Sequence, residues 1–292
     1  MKKSWDRNTK TAFRFLAGPV GLLLLVTTYP LVFTVWTSLH QYSLFAPSRA
    51  VFIGLGNYAS LLTGRQFLGS LWRTLVFAGG SLVLQVSLGF LLALLLRHDR
   101  PGFGLLRVLL VIPVLLTPAV VGLMWFYMYD PNIGVINYVA AWLGLPPQAW
   151  LSDTNTAMIA VTVANVWEWA PFAFLVFVAA MKSIPEEIVE AARLDGAGIV
   201  AMSRHIFLPL LRPALIVVGL LLAIDDLKEF DLIYVMTNGG PGVSTFTLPI
   251  MIWNVGFASY QMGAACAIAL FLVAVITLLV AALRGAFREK VA

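Results

Sequence analysis

Six long apolar runs constrain the fold of this chain more than any other feature of its sequence. The hydrocarbon core of a bilayer is about 30 Å thick, and a helix needs about 20 mostly apolar residues to span it. Runs of that length occupy residues 15–39, 71–96, 105–129, 157–181, 213–236 and 262–283. The sequence therefore predicts an all-α membrane protein with six transmembrane helices.

Composition excludes the soluble classes of protein. The chain has 292 residues, of which 60% are hydrophobic and only 11% are charged, whereas a soluble domain carries about 25% charged residues. The single Cys266 excludes a disulfide framework. His40, His98 and His205 are scattered along the chain, so they predict neither a metal site nor a catalytic triad.

Lysine and arginine predict how the chain is oriented, because both residue types accumulate in short cytoplasmic segments. Fifteen of the 19 lysine and arginine residues fall on one side of the predicted membrane spans, and the exceptions are Arg49, Arg65, Arg73 and Lys228. Both termini are therefore expected in the cytoplasm, and the net charge of +5 needs no nucleic-acid partner. The first apolar run is longer than the core of a signal peptide, which favours an uncleaved helix.

The chain is predicted to form a single domain. Residues 1–14 are expected to be a cytoplasmic segment, 15–284 the transmembrane domain and 285–292 a cytoplasmic tail. The external segments, at 40–70, 130–156 and around 237–261, are each too short for an independent domain.

One cytoplasmic loop, residues 185–209, interrupts the apolar pattern. Pro185 begins a helix with carboxylates in its first turn, and Gly196 and Gly198 permit a sharp reversal. A second short helical piece follows, which Pro209 is expected to interrupt. The predicted helix, turn and helix project from the bilayer, and their exposed apolar side favours docking to a partner.

This loop resembles the "EAA" loop of ABC importer permeases. The resemblance is carried by Ile206, Leu208 and Pro209 together with Glu190, Ala191, Ala192, Asp195, Gly196 and Ala197. It implies a type I ABC importer transmembrane domain in the cytoplasmic membrane of a prokaryote, with a coupling helix that docks on a separate ATPase subunit.

Three other segments, at residues 52–62, 107–137 and 230–253, resemble the carbohydrate branch of the same family. "TNGGPG" at residues 237–242 is similar to the maltose-type, F-like half of the translocation pair. The resemblance implies a second related permease, two ATPase subunits, an extracytoplasmic solute-binding protein and a carbohydrate substrate. The chain lacks a phosphate-binding G-x-x-x-x-G-K-[ST] loop, so it is expected to carry no cofactor and to leave ATP and Mg to the ATPase subunits.

Polar side chains within the fourth run predict a substrate site. An ionisable group inside a bilayer usually faces a cavity or the bundle interior. One helical stripe contains Asn165, Glu168, Trp169 and Phe172. Carboxylate and amide groups beside aromatic faces suit a sugar, and the maltose-type resemblance implies the same site, although only Asn165 keeps the family's residue type.

The fifth run adds Asp226 and Glu229, three residues apart and expected on one helical face, while Asp225 is expected to pair with Lys228. Thr117, beside a proline kink in the third run, is a further candidate. These carboxylates favour an uncharged polyhydroxylated substrate. An internal charge network that only holds helices together is the alternative.

Gly79, Gly80 and Gly89 on the second run predict close helix approach, more readily toward the companion permease than toward cargo. Two other functions are less well supported. An ion-gradient transporter would need inverted repeats, which the sequence lacks, and a membrane hydrolase would need a nucleophile and a base that cannot be assembled here.

Overall fold

The computed structural model describes residues 2–97 and 101–288, with the backbone alone described at 2–10, 13, 14 and 283–288. Some residues used in the sequence analysis lie outside the described part of the chain: His98, Arg100 and the last four residues of the predicted C-terminal tail, which include Lys290. The described elements are, in chain order, α1 (Lys2–Ser38), β1 (His40–Gln41), β2 (Val51–Phe52), α2 (Gly56–Thr63), α3 (Arg65–Leu96), α4 (Phe103–Val111), α5 (Pro118–Met128), α6 (Val135–Trp142), α7 (Ala157–Lys182), α8 (Glu186–Leu194), α9 (Ile199–Met202), α10 (Leu208–Leu210), α11 (Arg212–Lys228), α12 (Asp231–Thr237), α13 (Leu248–Trp253) and α14 (Met262–Arg288).

Four of the six predicted spans are single helices. Each is long and apolar enough to cross a membrane: Phe15–Ser38 within α1, Arg65–Leu96, Ala157–Lys182 and Met262–Ala282 within α14. The third and fifth spans are bent pairs of helices, and the total is six when each pair counts as one span.

The third span bends by 103° between Phe103–Leu115 and Pro118–Met128. Proline fixes its own backbone and lacks an N–H, so it is favoured in the first turn of a helix and disfavoured inside one. Pro113 lies in a 3₁₀ turn, Ile112–Leu115, and Pro118 begins α5. The predicted proline kink is therefore confirmed as a full break in the helix.

The fifth span differs from its prediction as one helix over residues 213–236. Helix α11 ends at Lys228, and α12 begins only after a break at Glu229 and Phe230. Pro209 does not interrupt the preceding helical piece either. A π turn at Ser203–Phe207 precedes it, and the 75° bend falls between Leu210 and Arg212.

The chain contacts divide the structure into two compact units, of which Met1–Gly64 and Ile252–Val273 form the first. Strands β1 and β2 pair antiparallel within the predicted external segment, with His40 opposite Phe52. The side chain of Asn57 in α2 donates to the carbonyl oxygens of Ser38, at 2.7 Å, and His40, at 3.0 Å. These bonds hold the end of α1 and the residues just after it to α2.

The second unit comprises Arg65–Met251 and Ala274–Ala292. Its helices α3 and α7 approach closely at Gly89, where an added Cβ would lie 2.5 Å from the Cβ of Ala173. The expectation that Gly89 faces a companion permease is therefore wrong, because α7 of the same chain occupies that side. Gly79 has no neighbour within 4 Å of an added Cβ, and Gly80 has only Thr162, at 4.0 Å.

Candidate functional site

A buried polar cluster joins three helices of the second unit. Asp226 of α11 accepts two hydrogen bonds on the same carboxylate oxygen, Oδ1. Asn165 Nδ2 of α7 donates at 2.6 Å, and Gln85 Nε2 of α3 donates at 3.1 Å. Gln85 and Asn165 are 0% exposed and Asp226 is 3% exposed. Asn165 and Asp226, both predicted from sequence, are therefore brought into direct contact.

Glu168 lies one turn beyond Asn165 on α7 and is also buried. Neither of its carboxylate oxygens makes a hydrogen bond, and the same is true of the second oxygen of Asp226. A buried polar group without a partner is costly, and such groups concentrate at functional sites. The cluster thus holds hydrogen-bonding capacity that the chain itself does not use.

The other carboxylates of the fifth span have structural partners. Asp225 pairs with Lys228, with Oδ1 and Nζ 2.8 Å apart, which confirms the predicted pair. Glu229 lies beyond the end of α11, and its Oε1 accepts from the backbone N–H of Leu232 at 2.9 Å. The expectation that Asp226 and Glu229 share one helical face is wrong, since α11 ends at Lys228 and Glu229 lies in the break that follows.

The aromatic candidates lie next to the cluster on α7. Trp169 and Phe172 contact each other edge to face, with ring centroids 6.4 Å apart, and both pack against the hydrophobic core of the unit. The indole N–H of Trp169 is buried without a hydrogen-bond partner. Thr117 is not part of this arrangement. It is exposed and directly precedes α5, at the bend of the third span.

Gln85 is a member of the cluster that the sequence reasoning missed. It is the one amide in the apolar stretch "SLVLQVSLGF", residues 81–90. A polar side chain in the middle of a membrane span is itself the signal, since it is costly unless it finds a partner. Its partner, Asp226, lies 141 residues away in the chain, so no local pattern could identify the pair.

The loop at residues 185–209 has the predicted helix, turn and helix. Pro185 precedes α8, and Glu186 and Glu187 lie in its first turn. Gly196 has φ +79°, the left-handed conformation that favours glycine at a helix end. The N–H of Ala197 donates to the carbonyl of Ala192 at 2.9 Å and closes the turn.

One side of the loop is exposed and the other is part of the core. Leu194 is 89% exposed and Val200 is 77% exposed, while Glu190, Ala191 and Asp195 are also exposed. Ala192 and Ala197 pack against a buried cluster that includes Phe174 of α7 and Leu222 of α11. The loop therefore shares a hydrophobic core with the two helices that carry Asn165, Glu168 and Asp226.

Comparison with known proteins decides the family. Residues 85–292 match the family described as "Binding-protein-dependent transport system inner membrane component". The chain belongs to this family. It is a multi-pass permease subunit of a binding-protein-dependent ABC importer, and ATP hydrolysis resides in a separate subunit. Family membership excludes the ion-gradient transporter and the membrane hydrolase considered above.

Individual relatives cover most of the chain. The trehalose/maltose transport system permease protein MalF of Thermococcus litoralis is 34% identical over 97% of this chain and 96% of its own. The trehalose transport system permease protein SugA of Mycobacterium tuberculosis is 31% identical over 95% of this chain and 89% of its own. The sn-glycerol-3-phosphate transport system permease protein UgpA of Agrobacterium fabrum is 35% identical over 82% of this chain and 81% of its own.

The fold matches that of a solved importer. A crystal structure of a bacterial ABC transporter that imports the acidic polysaccharide alginate superposes with a TM-score of 0.83, covering 99% of both chains at 21% identity. The expected fold of a type I importer transmembrane domain is thereby confirmed.

Proposed function

We propose that this permease subunit carries a carbohydrate or polyol without negative charge, and that the buried cluster around Asp226 forms part of the binding site. The observation that carries the proposal is the set of unpartnered carboxylate and amide oxygens at Glu168, Asp226 and Asn165, beside the rings of Trp169 and Phe172. Such oxygens accept hydrogen bonds from hydroxyl groups, while aromatic faces suit the C–H surface of a sugar ring. Of the other candidates, Glu229 stabilises the break between α11 and α12 through its bond to the backbone of Leu232, and Thr117 lies at the bend of the third span.

The names of the relatives include both uncharged and anionic cargoes. Trehalose and maltose are uncharged, whereas glycerol phosphate and alginate carry negative charge. In this chain Glu168 and Asp226 are both buried, and neither carboxylate has a cationic partner among the described residues. Like charges repel strongly where the dielectric constant is low, so the site disfavours an anionic cargo.

The assembly proposed around this chain comprises a second, related permease, two ATPase subunits that use ATP and Mg, and an external solute-binding protein. Both termini and the loop at residues 185–209 lie in the cytoplasm, where the coupling surface is formed by Glu190, Ala191, Ala192, Asp195, Gly196 and Ala197. Because the loop and the substrate helices share a core, movement of the loop would tilt α7 and α11 and expose the cluster to alternate sides.

The test is ATP-driven uptake by the complete transporter in proteoliposomes. Glu190→Ala and Gly196→Asp are expected to uncouple ATP hydrolysis from uptake while the chain still inserts in the membrane. Glu168→Gln and Asp226→Asn are expected to change substrate affinity or preference with coupling intact. Uptake that needs no ATPase subunit, or that survives deletion of the loop, would contradict the proposal.

A further inference from the structure

A cavity of about 380 Å³ is lined by helix α8, by the end of α7 and by the residue that follows α3. Its volume is within the range of ligand pockets, about 300–1,000 Å³. The buried side chains of Met181 and Phe207 form part of its lining. Four charged side chains complete it: Arg97, Lys182, Glu186 and Arg193. The last three of these are exposed, so the cavity can be reached from outside the protein.

The lining of this cavity has an excess of positive charge, because three of its side chains are cationic and one is a carboxylate. Burial and then the nearby guanidinium group of Arg193 lower the pKa of Arg97, and Glu186 raises it by less. Repulsion between the two arginines therefore exceeds the attraction that Glu186 supplies. An anion in the cavity would relieve this repulsion, since an opposite charge nearby favours the charged form of a group.

Arg97 has hydrogen-bonding capacity that the described part of the chain does not use. Its guanidinium group lies over the ring of Phe207, with Cζ 4.8 Å from the ring centroid. Its Nε is buried and bonds to none of the described residues. A cation at the end of a helix often bonds the last carbonyl groups, but Arg107 Nε already donates to the carbonyl oxygen of Leu96 at 3.1 Å. The aromatic ring thus fixes a guanidinium group that still has an N–H to donate.

The cavity lies at a level where two membrane spans end. Helix α3 ends at Leu96 and α7 ends at Lys182, and both are long and apolar enough to cross a membrane. Basic pockets between transmembrane helices on the cytoplasmic side bind phospholipid headgroups, and the loop at residues 185–209 is proposed to lie on that side. The planar guanidinium group suits such a ligand, because its N–H groups can bind two phosphate oxygens at once.

We propose that this cavity binds a phosphate group, held by Arg97, Lys182 and Arg193. The headgroup of an anionic phospholipid and free phosphate share this chemistry, and either can supply the group. The site goes beyond the proposed function, because it needs no carbohydrate cargo. A phosphate group held there connects α8 to the ends of α3 and α7, so it stiffens the joint through which the loop is proposed to move the substrate helices.

The experiment measures protection of the complete transporter in detergent against thermal unfolding, without ATP and at one ionic strength. The probes are sodium phosphate, dioctanoyl phosphatidylglycerol and dioctanoyl phosphatidylcholine. The two lipids share their acyl chains and a phosphate, but the second carries an ammonium group that neutralises its charge. Protection grows with the ratio of ligand concentration to Kd.

Phosphatidylglycerol is expected to protect at a concentration at least about tenfold lower than phosphatidylcholine, as hydrogen bonds between charged groups permit. Protection by phosphatidylglycerol without protection by sodium phosphate would identify the lipid headgroup as the source. Protection by sodium phosphate would identify free phosphate as a source. Because ATPase subunits also bind phosphate, the effect is assigned to this cavity by variants of the permease chain.

Four variants locate the effect. Arg97→Gln and Arg193→Gln each remove a charge and its hydrogen bonds from the cavity, so each is expected to weaken binding at least about tenfold. Arg204→Gln is the matched control, because it removes the same charge from an exposed side chain outside the lining, and it should keep the affinity. Glu186→Gln removes the carboxylate and should raise the affinity roughly fivefold. Damage to the fold would not produce such a gain.

Several outcomes would overturn the phosphate site. One is the absence of protection by both phosphatidylglycerol and sodium phosphate. Another is equal protection by the two lipids with none by sodium phosphate, since the acyl chains would then explain the effect. Unchanged affinity in both Arg97→Gln and Arg193→Gln would place the phosphate elsewhere. Weaker binding by Glu186→Gln would show that these charges only stabilise the fold.

Discussion

The contact between α3 and α7 at Gly89 offers a sharp test of the fold that positions the cluster. Gly89 lies one turn from Gln85 on α3. A Cβ added there would lie 2.5 Å from the Cβ of Ala173, 2.8 Å from the backbone nitrogen of Phe174 and 3.0 Å from the carbonyl oxygen of Ala170. Two of these atoms belong to the backbone, so a rotamer change cannot relieve the clash.

The cost of Gly89→Ala follows from that geometry. Carbon atoms in good contact are about 3.5–4.0 Å apart, so the two helices must separate by roughly 1 Å. Overpacking of a fitted core costs about 1–3 kcal/mol. Alanine is also a better helix former than glycine by about 0.5–1 kcal/mol, which offsets part of this cost. Gly79→Ala, on the same helix with open space around the new methyl group, gains the second effect without the first.

Comparison of the two variants isolates the steric term, since the gain in helix propensity is common to both. In thermal unfolding of the purified subunit without its companion permease, in one detergent, Gly89→Ala is expected to be less stable than Gly79→Ala by roughly 1–3 kcal/mol. Uptake by Gly89→Ala should also fall, because separation of α3 from α7 displaces Gln85 of α3 relative to Asn165 of α7, and both side chains donate to Asp226. Equal stability and equal uptake of the two variants would refute the close approach.

Two further predictions concern the loops on either side of the membrane. Gly196→Ala, at φ +79°, is expected to destabilise the turn of the coupling loop by about 1–2 kcal/mol and to lower uptake per ATP hydrolysed, whereas Gly198→Ala, at φ −71°, should behave as wild type. Asn137→Leu removes the side-chain bonds to both backbone groups of Gln148 and to the indole of Trp150. It should make the loop at residues 130–156 susceptible to added protease, whereas Asn132→Ala, a change at an exposed side chain, should not. Similar digestion of both variants would contradict this.

The local features of this protein could be predicted from sequence because they depend on short-range periodicity. The apolar runs predicted the four spans that are single helices, the prolines predicted a kink where the third span breaks, and three-residue spacing predicted the pair of Asp225 and Lys228. The helix, turn and helix at residues 185–209 follows equally from Pro185 and Gly196, whose backbone preferences act within a few residues.

The cluster itself was decided only by tertiary structure. Asp226 meets Asn165 and Gln85 across 61 and 141 residues of chain, and Gly89 permits the helix approach that brings them together. Sequence marked Asn165 and Asp226 as costly polar groups in a membrane, yet it could not show which way each helix is rotated about its axis. That rotation is set by the packing of side chains between helices, which is why Gln85 was missed. The apolar pattern also did not show where α11 ends, so Glu229 was assigned to a helix that ends one residue before it.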